Sequence, residues 1–360
     1  MAQVSLKNIS GGVIHDFTLE VRDREFVVLA GPHGCGNSLL LRQIAGLDPV
    51  SGGEIVIGNR PVQTALPEQR ELAMVFSTPA LFPHWTVAQN IAFGLKGRHF
   101  PKTEVGKRAR EAAEIAGVAE LLERKPDALT AVEALRVALA RAIVRQPKLI
   151  LMDHPLAGLE PADREKMRAE LVKLQERLQT SVIYATSDPV EAMALGHRVA
   201  VMEKGELRQF DPPLAIYGKP AHLFAARFLG QPRINLLEGK LRAAAQGVLF
   251  KENGGTVELN LSDAPKEWAG KEVVLGIRPE ALEPGEATVG KTRGARCQGI
   301  VEHLESNGAE TLYYIETGGH TVILRASGRG EAGGAGRRMA FDIDPAKVHL
   351  FDAESKMRLF

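Results

Sequence analysis

The stretch that decides the fold is EFVVLAGPHGCGNSLLLRQIAGL, residues 25–47. Its first six residues form a short apolar run rich in β-branched side chains, which predicts a buried strand. A glycine-rich turn follows, and NSLLLRQIAGL then repeats its apolar residues at helical spacing. A strand, a glycine-rich loop and a helix in this order are the context in which the motif G-x-x-x-x-G-K-[ST] binds phosphate. Here Asn37 stands at the lysine position of that motif, and Ser38 keeps the hydroxyl.

Length and composition predict an ordinary globular protein of two domains. The chain has 360 residues, of which 44% are hydrophobic and 25% are charged. Its net charge of +1 gives no bulk field that would favour nucleic acid or an anionic membrane. The two cysteines, Cys35 and Cys297, lie too far apart in the chain to indicate a disulfide scaffold. We expect no signal segment and no run near the roughly 20 apolar residues that span a bilayer.

Strands alternate with helices in the first part of the chain. LILMD (residues 149–153) and SVIYAT (residues 181–186) predict two more buried strands, and residues 162–179 predict an amphipathic helix between them. Further helical stretches are expected at about residues 104–124 and 134–145. This alternation predicts a mainly parallel sheet that is covered on both faces.

The character of the sequence changes after about residue 230. Short alternating segments such as TLYYIET and VILRAS, separated by Gly, Pro and Asn, predict a small all-β, barrel-like domain. We therefore expect a nucleotide-binding-type domain over residues 1–234, with a helical subdomain at about 88–147. A smaller β-domain is expected over residues 235–360.

Several motifs occur in a fixed order along nearly the whole chain. They are the glycine-rich loop already quoted, VFSTPALFPHWTVAQNIAFGL, LTAVEALRVALARAIVRQPKLILMDHPLAGLEP, YATSDPVEAM, LGIRPEAL and VHLF. Together they resemble the ATP-binding subunits of ABC importers, in the maltose and glycerol-3-phosphate branch. The resemblance implies an α/β P-loop NTPase fold with a helical subdomain insert, followed by an all-β, OB-like regulatory domain.

The resemblance also shows where this chain departs from the family in its phosphate loop. The family lysine that reaches the β- and γ-phosphates is replaced by Asn37, the usual threonine after Ser38 is Leu39, and His33 stands at a position that is usually small. Losing one charge-assisted hydrogen bond costs about 1.5–3 kcal/mol, roughly 10- to 100-fold in affinity. The shortened stretch NISGGVIHDF also offers no obvious aromatic residue to stack on adenine.

The positions that serve hydrolysis in the family are replaced as well. His154 stands at the catalytic glutamate, Ser77 at the Q-loop glutamine, Ser187 at the switch histidine and Glu160 at the D-loop aspartate. Losing a positioned general base costs about 10²–10⁴ in rate. We therefore assign no catalytic residue, and we expect ATP hydrolysis to be lost or very weak.

The signature LSGGQ, which meets the γ-phosphate across a dimer in the family, reads LTAVE here. Thr130 keeps a hydroxyl, whereas Ala131 and Val132 add side chains where the backbone must approach closely. Glu133 adds a carboxylate on the phosphate side.

Some nucleotide-facing positions are retained, which predicts weak binding of ATP and Mg²⁺ at best. The glycines permit an anion-cradling turn, and Ser38 and Asp153 are the candidate magnesium-side residues. The candidate nucleotide-binding positions are Gly31, Gly34, Cys35, Gly36, Asn37, Ser38, Leu39, Asp153, Thr130, Ala131, Val132 and Glu133.

The resemblance implies partners as well. We expect transmembrane permease subunits to dock on residues 82–95, a homodimer or a heterodimer with another ATP-binding subunit, and no nucleic acid. The expected place is the cytoplasmic face of the membrane. Two alternatives stay open: a scaffold or regulatory pseudo-ATPase outside transport, and an active importer ATPase with unusual residues. The sequence does not predict the transported solute.

Overall fold

The computed structural model describes residues 3–95, 100–285, 295–328 and 335–360. The chain divides into two compact units, Met1–Leu214 and Ala215–Phe360. The strands of the first unit are β1 Val4–Gly11, β2 Ile14–Val21, β3 Phe26–Ala30, β4 Gly52–Ile57, β5 Arg60–Pro61, β6 Leu72–Val75, β7 Leu149–Asp153, β8 Ser181–Thr186, β9 Arg198–Glu203 and β10 Glu206–Asp211. Its helices are α1 Asn37–Ala45, α2 Val87–Ala92, α3 Lys102–Ile115, α4 Ala131–Ile143, α5 Pro161–Leu178 and α6 Pro189–Leu195.

The main sheet of the first unit has the order β10-β9-β3-β8-β7-β6. Its strands run parallel except for β10, which is antiparallel to β9. Residues 26–30 and 181–186 are buried throughout, as expected for central strands with both faces covered. A smaller antiparallel sheet, β2-β1-β4-β5, shares one hydrophobic core with them. The predicted parallel sheet is therefore confirmed.

The predicted helices occur, with one difference in length. The helix expected at 162–179 is α5, and the stretch expected at 134–145 is α4. The stretch expected at about 104–124 forms a helix only as far as Ile115. Gly117 then takes the left-handed conformation (φ +71°), which an α-helix cannot continue through. Residues of α2, α3 and α4 share a separate hydrophobic cluster.

The second unit contains two five-stranded antiparallel sheets, β13-β12-β11-β14-β20 and β15-β19-β16-β17-β18. Their inner faces share one core, which includes Phe250 and Phe341. The strands are β11 Asn235–Ala243, β12 Val248–Glu252, β13 Glu258–Leu261, β14 Glu272–Ile277, β15 Leu282–Pro284, β16 Ala295–Ser306, β17 Glu310–Glu316, β18 Thr321–Ser327, β19 Arg338–Ile343 and β20 Val348–Asp352. The all-β architecture predicted for this part of the chain is confirmed.

Two short helices precede these strands, α7 Pro213–Gly218 and α8 Leu223–Phe228. The guanidinium group of Arg278 donates hydrogen bonds to the carbonyl oxygens of Tyr217 (3.1 Å), Ala226 (3.1 Å) and Leu229 (2.6 Å). These bonds attach the two helices to the second unit, so the predicted domain boundary at 234/235 falls inside that unit.

Candidate functional site

The phosphate loop connects the end of β3 to the start of α1, and two of its glycines are required by close contacts. A Cβ atom on Gly31 would lie 2.3 Å from the carbonyl oxygen of Met202. Gly36 has φ +103°, and its Cβ would lie 2.7 Å from Cδ1 of Ile14. Only glycine fits these two positions without displacing the residues that it contacts. The close packing around the loop therefore requires glycine at both positions.

The tip of the β1–β2 hairpin lies directly against this loop. A Cβ on Gly205 would lie 1.5 Å from the carbonyl oxygen of Val13, and a Cβ on Gly36 would lie 3.3 Å from Cγ2 of Val13. A Cβ on Gly12 would lie 2.8 Å from Cδ2 of Leu39. The shortened hairpin thus packs on the phosphate loop with small and aliphatic residues.

Cys35 is a buried loop residue. Its N–H donates to the carbonyl oxygen of Pro32 (3.0 Å), and its own carbonyl accepts from Gly205 (2.8 Å). Burial raises the pKa of its thiol. A protonated, buried thiol is a packing group rather than a nucleophile.

Asn37 is buried, with 3% of its surface exposed. Its Nδ2 donates to the carbonyl oxygen of Thr186 (3.3 Å), and its Oδ1 accepts the N–H of Ser38 (2.9 Å). The first N–H groups of a helix are those that a bound phosphate would use. The amide oxygen of Asn37 therefore accepts one of these N–H groups and leaves it unavailable to a phosphate. The side chain also lacks the positive charge of the family lysine.

Ser38, Asp153 and His154 form a hydrogen-bonded group at the ends of α1 and β7. The Ser38 hydroxyl donates to Oδ1 of Asp153 (2.6 Å), and Nδ1 of His154 lies 2.9 Å from the same oxygen. Burial by itself would raise the pKa of Asp153, but the hydrogen bonds from His154 and Ser38 outweigh it and the net shift is downward. The Asp153 carboxyl group is therefore a carboxylate, which is a ligand type that Mg²⁺ accepts.

His154 departs from β7 in the left-handed conformation, with φ +48°. Its N–H donates to the carbonyl oxygen of Ala185 (3.0 Å). Within the described part of the chain its Nε2 atom is buried and has no hydrogen-bond partner. One side of this ring is thus held by Asp153, while the other faces no acceptor or donor.

His33 joins two of the replaced positions. Its ring stacks on that of His154, with centroids 5.9 Å apart and planes inclined by 21°. Its Nε2 lies 3.2 Å from Oγ of Ser187. We use the term replacement cluster for His33, Asn37, His154 and Ser187 together with the retained Ser38 and Asp153. Sequence reasoning noted His33 only as unusually large and missed these contacts.

Ser77 and Glu160 lie outside the replacement cluster. Ser77 is exposed in the loop after β6, and Glu160 is exposed at the N-terminus of α5. Among the residues described, no hydrogen bond joins either side chain to the cluster. The structure therefore brings together only some of the replaced catalytic positions.

The signature segment forms the N-terminus of α4 and is capped by its own side chains. The Thr130 hydroxyl accepts from the N–H of Glu133 (3.2 Å), and the Glu133 carboxylate accepts from the N–H of Thr130 (2.7 Å). The hydrogen bond from the Thr130 N–H, together with a contribution from the nearby Thr130 hydroxyl group, lowers the pKa of the Glu133 carboxyl group. This capping box satisfies two backbone donors and puts a negative charge where the helix start would otherwise attract an anion.

The segment after Ser77 forms an aromatic surface beside a groove of about 380 Å³. The rings of Phe82 and Trp85 lie 4.4 Å apart, and those of Phe82 and Phe93 lie 4.7 Å apart. The side chain of Asn90 is fully buried and bonds the backbone of residues 82, 85 and 86. The aromatic surface is thus held in a fixed shape by polar contacts, although Trp85 remains 36% exposed.

The described residues contain neither a membrane-spanning helix nor a cluster of metal-binding side chains. No helix in them is long and apolar enough to cross a membrane. They also contain no group of three or more His, Cys, Asp or Glu side chains arranged to hold a metal ion.

Comparison with known families agrees with this architecture. Residues 14–157 match the family model described as ABC transporter, residues 230–282 match the MalK OB fold domain, and residues 275–351 match the TOBE domain. The class of protein is therefore an ABC-type ATPase domain followed by OB and TOBE domains.

Similar proteins extend over most of the chain. The sn-glycerol-3-phosphate import ATP-binding protein UgpC of Bordetella bronchiseptica is 40% identical over 91% of this chain and 90% of its own. The oligosaccharides import ATP-binding protein MsmX of Bacillus subtilis is 39% identical over 96% of this chain and 94% of its own. This chain belongs to the family of ATP-binding subunits of ABC importers, which confirms the predicted importer branch.

A solved structure shares the fold over part of the chain. CbiO1 from Clostridium perfringens, described as part of the ABC transporter complex CbiONQ, superposes with a TM-score of 0.56 at 25% identity. The match covers 60% of this chain and 90% of CbiO1.

Proposed function

We propose that this protein is an importer subunit that has kept the ATP-binding fold and has lost, or almost lost, ATP hydrolysis. It acts at the cytoplasmic face of the membrane, docked on transmembrane permease subunits. The solute is a sugar or a glycerol-phosphate-like molecule, because the relatives with such names extend over nearly the whole chain.

The observation that carries the proposal is the replacement cluster. His33 contacts both His154 and Ser187, and Asn37 bonds the carbonyl oxygen of Thr186, the residue before Ser187. Three of the replaced side chains, those of His33, His154 and Ser187, thus contact one another at the place where a γ-phosphate and its attacking water would need the family residues. Scattered loss of single residues gives no reason for such mutual contacts.

The residues fit a bound nucleotide only in part. Ser38 and Asp153 remain suitable for the magnesium side, so weak binding of Mg-ATP is part of the proposal. Asn37 carries no charge for the phosphates, and across a dimer Glu133 at the start of the facing α4 would repel them. No step of hydrolysis can be derived from this set of side chains, so none is assigned.

A phosphate-release assay on the full-length protein with Mg-ATP tests the proposal. We expect no magnesium-dependent release above background, and the Asp153→Asn variant should give the same baseline. Turnover on the order of 1 s⁻¹ or more, abolished in Asp153→Asn, would contradict the proposal and favour an active ATPase with unusual residues.

Docking on permeases is supported by the aromatic surface around Trp85 and by the adjoining groove. Large exposed aromatic side chains on a rigid support are typical anchors of protein interfaces. We further propose a dimer with a second ATP-binding subunit, either a copy of this chain or a different one. In a heterodimer, the complete phosphate loop of the partner would face Thr130, Ala131, Val132 and Glu133 of this chain.

A further inference from the structure

A cavity of about 400 Å³ lies in the first unit, bounded by α3, the segment between α4 and β7, and the end of α5. Its apolar lining includes four buried side chains, those of Ala112, Ile143, Val144 and Ile150. Sites for small molecules in proteins commonly measure about 300–1,000 Å³ and have such apolar walls. We call this space the α3–α5 cavity.

The α3–α5 cavity lies at the opposite edge of the sheet from the replacement cluster. The phosphate loop follows the last residue of β3, and Asp153 is the last residue of β7. The cavity is lined instead by Ile150, near the start of β7, and by Thr180, the residue before β8. Because these strands are parallel, a molecule in the cavity would not reach the replacement cluster.

The polar residues that line the cavity carry more positive than negative charge. Arg108, Lys148 and Arg177 are opposed by one carboxylate, that of Glu111. Arg108 is paired with Glu104 (2.7 Å) and Lys148 with Glu71 (2.6 Å). The side chain of Arg177 makes no hydrogen bond or ion pair with any residue in the described ranges, so its guanidinium group is the cation available to a ligand.

Two helix ends limit where a charged group could sit. The last residues of α4 and α5, Ile143 and Leu178, both line the cavity. Helix C-termini carry partial negative charge, which disfavours an anion near these two residues. Arg177 lies in the last turn of α5, next to Leu178, and its full positive charge outweighs the partial negative charge of that helix end. An anionic group is therefore favoured at Arg177.

We propose that the α3–α5 cavity binds an amphipathic monoanion. Its apolar body packs on Ala112, Ile143, Val144 and Ile150, and its carboxylate or similar head pairs with Arg177. The planar guanidinium fork matches a carboxylate geometrically. Such a ligand joins the helical segment α3 to α5 and would stabilise the first unit when bound.

Calorimetric titration of the full-length protein with decanoate tests this proposal. We expect saturable binding with Kd on the order of 0.1 mM. The Arg177→Gln variant should weaken binding about fivefold, because it removes the head-group partner and breaks no internal contact. The matched control is Arg168→Gln, on the same helix but outside the cavity lining, and it should bind as the unchanged protein does.

A second variant fills the cavity. Ile115, which is half-buried and lines the space, is changed to tryptophan, and binding should be lost while the unfolding midpoint is kept. The proposal is overturned if the unchanged protein shows no saturable binding, if both arginine variants weaken binding equally, or if a folded Ile115→Trp variant still binds. If that variant does not fold, the two arginine variants decide.

Discussion

At the scale of single residues, the backbone and the ring of His154 are both held by local contacts. Its backbone bonds Ala185, its Nδ1 bonds the Asp153 carboxylate, and its ring stacks on His33. A general base must reach the water that it deprotonates. With Nδ1 bonded to a carboxylate, Nε2 is the nitrogen that would accept the proton, and it is buried. At the scale of single residues, the site is arranged for packing rather than for proton transfer.

The fixed spacing of a motif allowed the replaced residues to be identified from the sequence, but not their contacts. Asn37 and His154 could be recognised because neighbouring glycines, Ser38 and Asp153 mark their positions. The contact between His33 and Ser187 joins residues 154 positions apart. No local pattern encodes such a contact, because it depends on how β3 and β8 pair in the sheet.

His349, a single residue of the second unit, gives a prediction about pH. Its burial, with Arg358 and Arg278 nearby, lowers its pKa from 6.5 to about 4. The unfolded chain therefore binds a proton below pH 6.5 while the folded chain does not, so stability falls as the pH drops from about 7 to about 4. The expected contribution is about 3 kcal/mol.

The comparison that isolates this effect is urea unfolding of the unchanged protein and of His349→Gln at several pH values. The difference between their free energies of unfolding should shrink or reverse towards pH 4. A difference that stays constant from pH 7.5 to pH 4 would contradict the buried neutral histidine.

Elements were predicted well where their periodicity is strong and less well at their ends. The strand at residues 26–30 and the helix at 161–178 could be predicted from the sequence, because apolar spacing alone defines them. α3 ends earlier than predicted because Gly117 takes a left-handed conformation. The start of α4 depends on the capping pair Thr130 and Glu133. Such ends depend on one or two side chains, so a periodic pattern locates them poorly.

Two hairpins of the second unit are joined by a buried carboxylate that sequence reasoning did not identify. The side chain of Glu252 is 0% exposed and accepts from Thr317 (2.5 Å), from the N–H of Val257 (3.0 Å) and from His320 (2.8 Å). The other ring nitrogen of His320 accepts the N–H of Glu238 (3.2 Å). This network connects the β12–β13 turn to the β17–β18 turn.

Removing His320 tests that network. We expect His320→Ala to lower the free energy of unfolding by about 1–3 kcal/mol, because it leaves a buried carboxylate with fewer donors. The matched control is His84→Ala, whose side chain is exposed and which should change stability by less than about 0.5 kcal/mol. Equal effects of the two substitutions in urea unfolding would show that the network contributes nothing.

The whole molecule combines a P-loop unit with an all-β unit, as the change of pattern near residue 230 indicated. The residues at 215–234 pack with the second unit through Arg278. The pattern of short strands that predicted the β-domain does not extend to residues 215–234, because these residues form helices and a turn. The chain as a whole resembles importer subunits over nearly its full length, which is why its assembly with permeases is the central expectation at this scale.

Docking on permeases leads to a prediction about the assembled complex. Trp85→Ala should weaken co-purification with the permease subunits by roughly 30-fold in affinity, as expected for loss of an aromatic anchor worth about 2 kcal/mol. Leu66→Ala is the control, because Leu66 is 57% exposed and does not line the groove near Phe93. Undiminished co-purification of a folded Trp85→Ala variant would show that the interface does not include Trp85.

The most direct test restores the family residues together and measures ATP hydrolysis. The variant carries His33→Ser, Asn37→Lys, Ser77→Gln, His154→Glu, Ser187→His and the signature changes Thr130→Ser, Ala131→Gly, Val132→Gly and Glu133→Gln. His33 is included because it contacts two of the other replaced residues. We predict magnesium-dependent phosphate release on the order of 1 s⁻¹ or more in this variant and background release in the unchanged protein. A restored variant that folds and binds ATP without hydrolysing it, or an unchanged protein that already hydrolyses ATP at that rate, would contradict the account.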